Sequence, residues 1–156
     1  MSDHNVEHPR IQHLIKENKV KVLGAEYSAE FDNYITNCYP WAPVTGYRID
    51  WKETKKPYKR IHWEKLTEEE TRNFLNTTCM GNFKEVCFIY GSRQPALLAN
   101  YDFASLKLDI LALFGIHVSF MVGVKRNKFN IPELVKECFV EIDSVEWLTA
   151  PDIPVS

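Results

Sequence analysis

A chain of 156 residues with 45% hydrophobic and 26% charged side chains has the composition of one globular domain, which excludes the disordered and fibrous classes. A domain of that length buries roughly 70% of the surface its unfolded chain exposes, so neither a metal nor a disulfide is needed to complete its core. The net charge of −2 points to neither a nucleic-acid binder nor an acidic mimic, yet it averages over a gradient: residues 41–65 carry seven basic and three acidic side chains, residues 130–156 six acidic and one basic.

Met1-Ser2-Asp3-His4-Asn5 leads into no apolar stretch, so no secretory signal is expected. The longest apolar stretch, residues 106–114, is interrupted by Lys107 and Asp109 and falls short of the ~20 residues that span a bilayer. The four cysteines, Cys38, Cys79, Cys87 and Cys138, form no C-x-x-C pair and mostly sit beside apolar neighbours. They read as reduced thiols of a core, in a cytoplasmic protein with no membrane partner. Residues 1–7 and 150–156 read as flexible ends of a single domain.

Along the chain, Ile11, Leu14 and Ile15 recur at helical spacing over residues 8–18, with Pro9 in the first turn. Val20 and Val22 suggest a strand that Gly24 breaks. Phe31, Tyr34, Ile35 and Cys38 mark a second helix that Ser28 can cap. Arg48-Ile49-Asp50-Trp51 and Arg60-Ile61-His62-Trp63 share the pattern R-I-x-W. Their period-two alternation predicts an antiparallel hairpin with one buried face and a basic tip. Thr67 and Glu70 form a capping box for a helix reaching about Thr78.

Residues 86–90 and 96–99 predict two strands joined by a turn at Gly91-Ser92-Arg93-Gln94-Pro95. Asp102 is then the expected N-cap of a helix running to Gly115, apolar most of the way round and so central or in an interface. Residues 117–124 return as a strand, 132–138 suggest one or two helical turns, and 139–147 alternate as a last strand. The expected class is α+β, with a mixed, largely antiparallel sheet containing β-hairpins and flanked by helices.

No cofactor, nucleotide-binding, metal or nucleophile motif is present. His62-Trp63-Glu64 begins a deaminase signature whose cysteine half is missing. Asp50 and His62 would lie opposite one another in the predicted hairpin, as a base held by a carboxylate or as a plain cross-strand pair. Lys55, Lys56, Lys59 and Arg60 could neutralise phosphates beside interleaved aromatics, although a solvated loop is the plainer reading and nucleic acid the weaker partner. Glu68 and Glu69, with Glu141, Asp143 and Glu146, could form an acidic surface that steers a protein partner with Trp147 as its anchor, or be plain capping and solvated-strand carboxylates beside a core tryptophan.

The layout of a hairpin, a capped helix, and a strand with the run QPALLAN before an apolar helix resembles bacterial toxin-immunity proteins, including those of contact-dependent inhibition systems. The resemblance implies a non-enzymatic protein that binds and blocks a cognate toxin domain, often a nuclease, in the cytoplasm. It contains no motif that assigns a role to a particular residue.

Overall fold

A computed structural model describes residues 9–40, 60–61, 66–90, 94–111 and 118–143. Helix α1 (Pro9–Lys16) buries Ile11 and Leu14. It stops in a Schellman turn: Asn18 takes φ 61°, and the Asn18 and Lys19 amides donate to the Ile15 and Leu14 carbonyls. Strand β1 (Val20–Leu23) follows, then α2 (Ala25–Cys38), whose N-cap is Gly24. Ser28 is therefore not the cap. It lies inside the first turn, buried, and its hydroxyl donates to the Gln94 carbonyl at 2.6 Å.

Strand β2 (Arg60–Ile61) precedes α3 (Glu68–Asn76), which opens on the expected capping box of Thr67 and Glu70. A 3-10 turn (Cys79–Asn82) leads into β3 (Glu85–Ile89) and β4 (Ala96–Asn100). The expected long helix is two short ones, α4 (Tyr101–Leu106) and α5 (Leu108–Leu111). The N-cap is Asn100, whose side chain accepts from the Asp102 amide, and Lys107 leaves the helical conformation at φ −123°, ψ 30°. The break turns Leu106 outward, 37% exposed, while Leu108 and Leu111 stay buried.

Strands β5 (Val118–Arg126) and β6 (Pro132–Asp143) form the long hairpin of the molecule. The sheet order is β1-β4-β3-β5-β6-β2, antiparallel throughout except for the parallel β2–β6 pair. The chain is thus an α+β domain with a mixed, largely antiparallel sheet. Residues 132–138 are strand, not helix. Between Val122↔Phe139 and Gly123↔Val135 the register shifts, so that Lys136, Glu137 and Cys138 bulge out. The bulge changes the side-chain period and gives Leu134, Val135 and Cys138 a helix-like spacing.

Helices on both sides of the sheet explain why residues 86–90 are buried without alternation. One core gathers Val86, Phe88, Met121, Val140 and Ile142 beneath α1, α3, α4 and α5. The other gathers Cys87, Phe120, Val122 and Phe139 against Phe31 and Ile35 of α2. There the Phe31 ring lies 5.2 Å from Phe120 and 5.5 Å from Phe139, centroid to centroid.

The cysteines depart from the expectation of four core thiols. Cys79 and Cys138 are joined in a disulfide with Cα atoms 5.9 Å apart, an ordinary bridging distance. Cys38 is exposed, and Cys87 alone is a buried thiol, its ionisation pushed far up by burial. At the bulge the Phe83 ring occupies the space above Gly123, where a Cβ would lie 2.7 Å from it. Glycine is required there for close approach. Among the described residues, no helix is long and apolar enough to cross a membrane.

Candidate functional site

Among the described residues, a dense set of side-chain hydrogen bonds lies at the β5–β6 tip. Arg126 ends β5 and grips Glu85 of β3 through Nε and Nη2 at 2.8 and 2.9 Å, while its Nη1 donates to the Asn130 carbonyl at 2.8 Å. This fork holds the Glu85 carboxyl below its usual range, the Arg126 hydrogen bond outweighing the opposing effect of burial.

Inside the turn, Asn127 Oδ1 accepts from the amides of Phe129 at 2.8 Å and Ile131 at 3.1 Å. Its Nδ2 donates to Glu133 at 2.9 Å. The Asn127 amide donates to the Ile131 carbonyl, and its own carbonyl accepts from Asn130, which turns at φ 64°. Asparagine suits position 127 because its short amide replaces backbone partners, and position 130 because it tolerates a left-handed φ.

That network orders a segment whose apolar side chains do not pack inward. Phe129 is 71% and Ile131 49% exposed, and Lys128 Nζ stands 5.3 Å from the Phe129 ring centroid. Apolar side chains left exposed on an ordered turn make the tip a candidate contact surface.

Beside the tip lies an open cleft of about 480 Å³ lined by Glu26, Tyr27, Glu30, Ile131, Glu133 and Lys136, among others. The Tyr27 hydroxyl donates to the Pro132 carbonyl at 2.8 Å, tying α2 to the start of β6. Burial raises the Tyr27 ionisation most, and Glu26, Glu30 and Glu133 raise it further. Those carboxylates therefore place one negative field over the cleft. Lys136 offsets part of it by pairing with Glu30 at 2.8 Å.

Of the residues expected to form an acidic surface, Glu68, Glu69, Glu141 and the backbone of Asp143 lie among the described residues. Glu68 and Glu69 are exposed in the first turn of α3, where carboxylates suit the positive end of the helix. Glu141 is 0% exposed and cannot be a rim charge. It lies between Val140 and Ile142 of the first core, so the pleat sends it to the other side of the sheet, in register with Phe120. Asp143 ends β6 opposite Val118, while Glu146 and Trp147 lie outside the described residues. So do Asp50, His62, Lys55, Lys56 and Lys59, along with the ends 1–7 and 150–156. Of the expected hairpin only Arg60 and Ile61 are described, and they pair in parallel with Glu141 and Ile142 of β6.

Nothing in the composition marks the tip, but one local signal does. Arg126-Asn127-Lys128-Phe129-Asn130-Ile131-Pro132 places Phe and Ile among turn residues, where folding alone asks for polar side chains. Among the described residues no group of three or more His, Cys, Asp or Glu side chains could hold a metal ion. No family model, curated protein or solved structure matches the chain.

Proposed function

We propose that this protein is a binding inhibitor, an immunity protein that neutralises a cognate toxin domain by forming a tight complex with it. The observation that supports the reading is the β5–β6 tip, where Asn127 and the Arg126–Glu85 fork hold Phe129 and Ile131 exposed beside a cleft. A preformed apolar anchor favours binding because little side-chain and loop freedom is lost on contact.

The work of such a protein belongs in the bacterial cytoplasm, where an incoming toxin acts. The Cys79–Cys138 bridge argues against a strongly reducing compartment, so the thiol content of protein isolated without reductant bears directly on that placement. The function itself is tested by titration calorimetry against the protein encoded beside this one, and by growth of cells expressing that protein with and without this chain. The reading predicts restored growth and a Kd below ~10 μM, the affinity equivalent of about 7 kcal/mol. Weaker binding together with no protection refutes it.

A further inference from the structure

The charges around the tip specify the chemistry of what it meets. On one flank the cleft carries Glu26, Glu30 and Glu133 against Lys136 in its lining and Lys125 across the ladder from Glu133, and all three carboxylates act on Tyr27, which also lines it. On the other flank, Arg126 is already committed to Glu85 and Lys128 stands over the Phe129 ring. Ile131 and Leu134 in the cleft wall, with Phe129 exposed on the same turn, thus have a net negative border on the cleft side.

Resting on the binding-module reading, we infer that the tip docks onto a basic protein surface: Phe129 enters an apolar pocket of the partner while the partner's Lys or Arg side chains face the Glu26, Glu30 and Glu133 cleft. An anionic lipid surface is the obvious competitor for an exposed Phe and Ile beside lysines. It is disfavoured because insertion of Phe129 and Ile131 would press the three carboxylates against like charge.

Fluorescence anisotropy with short labelled peptides that alternate Leu with Arg, with Gln or with Glu tests the chemistry without the natural partner. The Leu/Arg peptide should bind at least about tenfold tighter than Leu/Gln, and Leu/Glu should not bind. Glu26→Gln with Glu133→Gln should abolish the Arg preference, and Phe129→Ala should weaken Leu/Arg and Leu/Gln alike. Glu68→Gln with Glu69→Gln should change nothing, since those carboxylates lie on α3.

An equal loss from the α3 pair would mean diffuse attraction and would overturn the inference. So would cosedimentation of the protein with phosphatidylcholine vesicles containing phosphatidylserine. If the neighbouring protein binds through Phe129 while the peptides show no Arg preference, the inference fails and the binding-module reading survives. If that protein does not bind at all, the reading itself has failed.

Discussion

The middle and the tip of the β5–β6 hairpin are held by opposite means. In the middle, order comes from burial: Phe83 lies over Gly123, Phe139 packs among Phe31, Tyr39 and Phe120, and the Cys79–Cys138 bridge ties the bulge to the 3-10 turn. At the tip, order comes from polar bonds around Asn127 and Arg126, while the apolar groups face water. Burial explains its own residues through stability. Polar stapling of exposed apolar residues gains less from folding, and that difference is what the binding proposal builds on.

The comparison breaks most visibly at the bridge. The two cysteines are 59 positions apart, and loop closure over that separation accounts for about 4 kcal/mol of stability. Reduction, or Cys138→Ser, should therefore lower the denaturation midpoint strongly while leaving the tip's exchange behaviour intact. An unchanged midpoint, or a mass showing four thiols in protein isolated without reductant, would remove the bridge from the account.

Nearly as large is the expected effect of Glu141→Lys. Reversing a charge at a fully buried position should cost on the order of 3 kcal/mol or more, whereas Glu68→Lys on exposed α3 should stay within about 0.5 kcal/mol. Thermal melts of the two variants compare them directly, and equal melting temperatures would contradict the burial of Glu141.

The contrast between those two glutamates also shows where the sequence was legible. Thr67 and Glu70 were readable as a capping box because the motif is complete within one helical turn. The strands at residues 86–90 and 96–99 were readable because a continuous apolar run is bounded by turn residues. Reading charges by segment missed the burial of Glu141, which the pleat sends inward while its sequence neighbours give no sign of what covers it. Residues 132–138 imitated a helix because the bulge altered the strand period. Asn100 and Asp102 are both good caps, and the choice between them depended on how β4 enters the helix. The tip itself was encoded locally, in Asn127 and Asn130 around Phe129, but hydrogen bonding across the turn had to be seen before the exposure of Phe129 acquired meaning.

Smaller effects sharpen the tip. Asn127→Ala removes the acceptor for the Phe129 and Ile131 amides and should cost about 1 kcal/mol, read as faster amide exchange confined to residues 127–131. Protection lost across the whole hairpin would mean that the tip is not a separate unit.

The smallest effect is on pH dependence. Glu85 titrates below its ordinary 4.5 in the folded protein, so its pairing with Arg126 contributes fully above that value and is lost as pH falls through the lower folded one. Partly solvated, the pair should contribute less than about 1 kcal/mol. Arg126→Gln should flatten the acid limb of the stability profile by that amount, and an unchanged limb would show that Glu85 is held by other groups.

The most direct measurement pairs calorimetric binding of the neighbouring protein with the thermal melt of the same Phe129→Ala sample. If Phe129 is an anchor with no part in the core, the melting temperature stays within the error of the parent and affinity falls by roughly 2 kcal/mol or more. A lowered melting temperature with unchanged affinity would place Phe129 among the folding contacts and contradict the account.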